Sequence, residues 1–284
     1  MNPGYVQRIA NSLNAFSIDA ALVGVVWQVL FSLGFQHQMP DPSLLFGIFA
    51  TVWLVYVADR LLDATRLNLE RPTTYRHRFH YRYRKPLTAA WIAVLFADAA
   101  VIALTIDDSV RRPGFFVAIA VLAYAASVHI AGFRMKFFPK EVQVGVLFAL
   151  GTSLVAWPDG DSIKWLPFGL SVFMSATLFT VNCLVVACHE YESDRAQSFA
   201  SWSTEHGSAG LWAKGLATML CIVSIVVLSI GLVPSLIALS TLGTSAVMLG
   251  LLMRPQIPTA HWPAGFLADF GLVLPPLFCC WVLA

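Results

Sequence analysis

Nine apolar runs separated by short polar breaks divide the whole chain, at residues 17–35, 43–62, 87–106, 114–130, 142–156, 166–187, 211–232, 234–252 and 262–283. Most of them reach the ~20 residues that a helix needs to cross the hydrocarbon core of a bilayer. In lipid a spanning segment must satisfy its own backbone hydrogen bonds, so runs of this length are read as helices. The run at 142–156 is short for a crossing, and the break before Pro234 is tight. Composition agrees with this reading: of 284 residues, 58% are hydrophobic and 12% charged, where a soluble domain carries about 25% charged residues. So little charge cannot cover a water-facing surface, and so apolar a chain does not stay disordered. The expectation is one all-α, polytopic membrane domain over residues 1–284, with about nine transmembrane helices and no large soluble domain.

Cysteine usage adds no competing framework. Cys183, Cys188, Cys221, Cys279 and Cys280 all lie in or beside apolar runs, without CxxC or Cys/His ligand spacing. They are read as small core residues and not as disulfides or zinc ligands. Arg8 precedes the first run, which has no small-residue cleavage site, so that run is read as a retained helix.

Nine crossings put the N-terminus and the breaks after runs two, four, six and eight on one side. That side holds 15 of the 18 Lys and Arg residues, leaving Arg111, Arg112 and Lys164 on the other. Cytoplasmic loops carry such an excess, so the N-terminus and the basic loops are expected in the cytoplasm.

Two acidic pairs stand out against this background. Asp59 and Asp63 close the second run, and Glu190 and Asp194 close the sixth. Spacing of i,i+4 stacks each pair on one helix face, where like charges repel unless a cation intervenes. Both pairs fall at the cytoplasmic end of an even-numbered run, four runs apart. This suggests two related four-helix bundles plus one helix, each bundle giving one pair to a common mouth. Hard oxygen donors of this kind suit Mg²⁺ bound through a few carboxylates and a substrate phosphate. Acids at a membrane edge read as a functional site, although pairing with Arg60, Arg66 and Arg195 is a competing account.

The break after run four carries Arg134, Lys136 and Lys140, and Lys136 or Arg134 is placed to reach a diphosphate at that mouth. The stretch at residues 75–84 interleaves bases with aromatics. Beside a membrane it reads as an anchor on anionic lipid headgroups, with some of its arginines also able to line the site, and not as a nucleic-acid surface. Asp19, Asp98 and Asp269 lie within the runs and should face the protein interior, because an unpaired acid in lipid is costly. His129 has no second ligand at i±4 and is read as a satisfied core or interface histidine.

These residues resemble the UbiA superfamily of intramembrane prenyltransferases, whose first aspartate-rich motif, Asn-Asp-x-x-Asp-x-x-x-Asp, ends helix two. Residues 55–63, Val-Tyr-Val-Ala-Asp-Arg-Leu-Leu-Asp, match its last two acids and the arginine between them, and Arg71-Pro72 is similar to the Arg-Pro that follows. Glu190 to Arg195 matches the second motif, Asp-x-x-x-Asp-Arg, and Lys136 lies where the family has a diphosphate-binding Lys. Val55 and Tyr56 replace the leading Asn-Asp, and Glu190 stands for an Asp, so one metal ligand of the family pattern is missing.

The resemblance implies that Asp59, Asp63, Glu190 and Asp194 hold Mg²⁺ and that Lys136, Arg134, Arg66 and Arg195 neutralise the diphosphate. Residues 65–86 and 189–210 would form cytoplasmic cap loops over the site. The implied reaction moves a prenyl chain from an isoprenyl diphosphate to a lipophilic aromatic or quinone-type acceptor. A cyclase of the same fold, acting on the diphosphate alone, is the alternative, and a transporter or non-catalytic lipid-binding relative is a third. Expected partners are the two substrates and membrane lipids, without nucleic acid.

Overall fold

The structure is a computed structural model that describes residues 3–129, 139–157, 164–199, 201–253 and 262–283. These residues form thirteen α-helices and no strand. In order they are α1 (Pro3–Ala15), α2 (Ile18–Gln36), α3 (Pro42–Ala64), α4 (Tyr75–Arg82), α5 (Arg84–Thr105), α6 (Asp108–His129), α7 (Lys140–Ser153), α8 (Trp165–His189), α9 (Tyr191–Gln197), α10 (Trp202–His206), α11 (Ala209–Ser229), α12 (Ser235–Met253) and α13 (Ala264–Leu283). A 3₁₀ turn at Leu154–Ala156 extends α7. Eight of them, α2, α3, α5, α6, α8, α11, α12 and α13, are long and apolar enough to cross a membrane.

Each of the nine apolar runs becomes a helix, and the ninth helix is the short α7. Fourteen residues at ~1.5 Å each give about 21 Å, and the 3₁₀ turn adds about 6 Å, close to a ~30 Å hydrocarbon core. The far end of this element is tied to α2, where the Gln36 side-chain amide donates to the Val155 carbonyl at 2.6 Å. The reversal of direction from run to run is therefore kept with eight full-length helices and one short one.

Helix α8 is the hub, two-thirds buried, packing on α7, α11, α12 and α13. Its approach to α7 depends on Gly145: a Cβ there would lie within 3 Å of Thr180 Oγ1 and the Ala176 carbonyl. Small residues let membrane helices approach closely, and van der Waals packing then holds them. Trp27, Phe31, Met174, Leu178, Leu220, Ile237 and Leu272 fill the centre. The Trp27 indole N–H, which is costly to leave unpaired in an apolar core, donates to the Leu272 carbonyl at 3.0 Å. Helices α5 and α6 present mostly exposed apolar side chains, as lipid-facing helices do.

Polar residues bring the cytoplasm-assigned breaks into short helices at one end of the bundle. Ser17 takes a left-handed conformation (φ 56°) that turns α1 away from α2. Thr74 caps α4, accepting from the His77 backbone N–H, and a Ser201–Thr204 capping box starts α10.

Candidate functional site

The C-terminal ends of α3, α6 and α8, the N-terminal ends of α7 and α13, and the short helices α4, α9 and α10 surround one cavity of about 880 Å³. That volume lies within the range of small-molecule sites. Asp59, Asp63, Glu190 and Asp194 all line it. Residues about 130 positions apart in the chain thus meet around one space.

Two of the four carboxylates have a protein partner. His129 Nε2 lies 3.0 Å from Asp59 Oδ1, and the Arg66 guanidinium, which also lines the cavity, donates to the His129 carbonyl at 2.5 Å. The Arg76 guanidinium of α4 pairs with Glu190 Oε2, both side chains being largely buried. Asp63 and Asp194 form no ion pair among the described residues. Helix α8 breaks at Glu190, yet the Asp194 N–H still donates to the Glu190 carbonyl at 2.9 Å. The helical i,i+4 relation of this pair therefore survives the break.

Outside the spans, burial sets the protonation of the site. Burial, reinforced by the Glu190 charge, pushes Asp194 up to about 6. Burial opposes the charge of Arg76, but Glu190, Asp194 and other acids around it outweigh this and hold its pKa above the usual arginine value. Burial and the charges of Arg76 and Arg60 depress His77 to about 2. Burial likewise lowers His80 to about 4. His80 Nδ1 lies 2.9 Å from the Arg76 carbonyl, which can only accept, so the neutral ring carries its proton on Nδ1.

The cap over this mouth is fastened by Gln197. Its Oε1 accepts from the Asn68 N–H at 3.0 Å, and its Nε2 donates to the carbonyls of Asn68 at 2.8 Å and Pro72 at 3.2 Å. Arg71 reaches the other way, donating to the Ala196 carbonyl at 3.0 Å, and His77 packs on Phe199. The connection after α3 is thereby locked to α9.

Of the expected phosphate ligands, Arg66 lines the cavity. Arg195 does not; its guanidinium donates to the Tyr191 hydroxyl at 3.2 Å on the exposed side of α9. Arg134 and Lys136 lie outside the described residues. Arg60, Arg76 and Lys140 supply cationic wall instead. Arg60 is buried, with its Nε donating to Ser17 Oγ at 3.1 Å. Seven acids and four Lys or Arg residues line the cavity among the described residues.

Asp19, Asp98 and Asp269 are all buried, as the cost of acids in lipid requires. Asn14 donates to Asp19 at 2.8 Å, Thr51 to Asp98 at 2.8 Å and Asn182 to Asp269 at 3.0 Å. Only Asp269 of these three opens on the cavity.

No protein-family model matches the chain, and no curated protein matches it either.

Proposed function

We propose that this chain is an intramembrane prenyltransferase of the UbiA type, moving a prenyl group from an isoprenyl diphosphate to a lipophilic aromatic or quinone-type acceptor. The observation that carries the reading is that both acidic pairs open on one cavity, charged at its mouth and walled deeper by Val55, Tyr56, Val144 and Cys183, with Asn182 and Asp269 as polar groups among them. This is the division an allylic diphosphate needs, with a polar end for the head and an apolar end for the chain. The two-bundle arrangement and a cytoplasmic mouth belong to the same reading, supported by the Lys and Arg distribution.

Mg²⁺ fits the donor set in one form. Among the described residues no three His, Cys, Asp or Glu side chains converge on a metal position, so a cage built by protein alone is not the arrangement. Asp63 and Asp194 each remain without an ion-pair partner, and Mg²⁺ is commonly held by one or two carboxylates plus substrate phosphate. Asp63 and Asp194, helped by Asp59 and Glu190, would hold it with the diphosphate. Bound there, Mg²⁺ supplies positive charge against which the leaving group develops its negative charge.

The residues of the chain do the rest. Arg66 and Lys140, with Lys136 and Arg134 as further candidates, hold the diphosphate at the mouth. The allylic C–O bond breaks and its electron pair leaves with the diphosphate. The new C–C bond takes its electrons from the acceptor ring, which then loses a proton. The apolar wall excludes water that would otherwise capture the allylic cation.

The test is pyrophosphate release by purified chain from prenyl diphosphates of several lengths, with and without Mg²⁺ and acceptor. Asp59→Asn and Asp194→Asn are each expected to lower Mg²⁺-dependent release by on the order of a hundredfold, with the protein still folded and inserted. Unchanged release in both variants overturns the site. Release without acceptor, yielding a cyclic product, assigns the chain to the cyclase alternative.

A further inference from the structure

Asn182 on α8 and Asp269 on α13 meet in the wall of the cavity, eight residues before Glu190. At ~1.5 Å per residue, that is about 12 Å deeper than the acidic mouth. Both side chains are more than nine-tenths buried. The Asn182 amide donates to Asp269 Oδ1 at 3.0 Å, which leaves Asn182 Oδ1 buried without a hydrogen-bond partner. Asp269 enters no ion pair among the described residues. Tyr56, Val144 and Cys183 lie on the cavity side and Phe148, Phe179 and Leu272 around a small void beyond, while the charges of Asp19, Arg60 and Arg76 reach Asp269 from the mouth side.

An unpaired amide oxygen at depth is costly, as is any buried polar atom left without a partner. A structure that keeps one beside a carboxylate in a cavity wall holds two hydrogen-bond acceptors for a donor that packs against that wall. The matching occupant is apolar in body and carries hydroxyl donors on one edge. A diphosphate does not fit, since it brings only acceptors and negative charge to a carboxylate.

We propose that Asn182 and Asp269 form the acceptor subsite and bind a hydroxyl-bearing aromatic, a phenol or dihydroxybenzene, by accepting its O–H groups. This rests on the transferase reading for its role, but the binding itself does not require the reaction. Hydrogen bonding to Asp269 keeps electron density on the ring and fixes the ring below the site of C–O cleavage. Asn182 and Asp269 are thus binding residues of the acceptor and not metal ligands.

The test uses hexylresorcinol and its dimethyl ether, which differ in the hydroxyl donors. Binding is measured by equilibrium dialysis on the full chain in detergent, with no prenyl diphosphate and no Mg²⁺. A site built to bond a hydroxyl rejects the analogue lacking it strongly, so the diol should bind at least about tenfold tighter than the ether. In Asn182→Leu and in Asp269→Asn that preference should fall to about twofold or less. Thermal unfolding of each variant keeps a folding defect distinct, and two separate substitutions guard against one misfolding. Equal affinity for diol and ether in the unaltered chain overturns the proposal, as does a preference that survives in both folded variants. Pyrophosphate release without diol selectivity retains the reaction and overturns the subsite. Diol selectivity without release from any prenyl diphosphate retains the subsite and overturns the reaction.

Discussion

Arg76 carries more than its place in a basic stretch suggests. It is one of several arginines among aromatics at residues 75–84, yet its side chain is turned inward onto Glu190 and its Nε is buried without a partner. Removing one member of a buried ion pair strands the other charge, which costs about 3–5 kcal/mol. Arg76→Ala should therefore destabilise the chain by about 3 kcal/mol. Arg76→Ala combined with Glu190→Ala should restore part of that loss, since the stranded charge is gone. Unfolding of the two single variants and the double variant in detergent reads the coupling, and additive losses contradict the pairing. Arg195 gives the contrast. Its guanidinium lies over the Tyr191 ring at 5.9 Å on the exposed side of α9, so it has no comparable buried partner to strand.

At the level of elements, the cap is held by few groups. Gln197 on α9 satisfies backbone atoms of Asn68 and Pro72 in a connection that has no helix of its own. Gln197→Ala removes these bonds together, and each net bond is worth about 1 kcal/mol. Hydrogen exchange at residues 68–71 should then speed up by at least about tenfold, while α8 is unchanged. Equal protection in the variant would show that other contacts hold the cap. Helix α4 adds a pH dependence. Folding holds His77 near 2 and His80 near 4, against an ordinary value of 6.5. Below pH 6.5 the unfolded chain takes up protons that the folded chain refuses. Stability present above that pH is then lost at about 1.4 kcal/mol per pH unit for each ring, down to its folded value. Melting in detergent at pH 7 and pH 5 should show the fall, offset in part below about pH 6 by Asp194, which is raised to about 6 and takes up a proton in the folded chain, and His77→Asn with His80→Asn should remove the fall. An unaltered slope in the double variant places the effect elsewhere.

For the molecule as a whole, what was legible in the chain follows from which signals are local. Apolar runs are contiguous, so all nine helices could be read, and the short run at 142–156 already marked α7 as the one below spanning length. The i,i+4 pairs are local too, and all four carboxylates line the cavity. Contacts made across the fold left no such trace. Asn182 and Asp269 are 87 residues apart, Gln197 bonds a segment on the other side of α4, and His129 meets Asp59 across 70 residues. An arginine of residues 75–84 was expected at the site, and Arg76 lines the cavity, but the burial of His77 and His80 was hidden because an eight-residue helix of bases and aromatics shows no apolar stripe.

Handedness in the membrane is the property that the chain states through charge alone. Reversal from run to run places the cavity mouth, with the ends of α3, α6 and α8, on the side that holds 15 of the 18 Lys and Arg residues. Each cation moved against the membrane potential costs about 2.3 kcal/mol per 100 mV, and the excess on short loops sets orientation. Reporter fusions after residues 85 and 214 should therefore report the cytoplasm, and fusions after residues 112 and 164 the opposite face. The α7 segment makes this a strict test. A short helix that entered and left on the same side would put residues 112 and 164 on opposite faces. The Gln36–Val155 bond, 2.6 Å at the end of α2 away from the cavity, instead requires residue 164 to share a face with residue 112. Matching reports at those two positions would establish that α7 and its 3₁₀ turn complete a crossing.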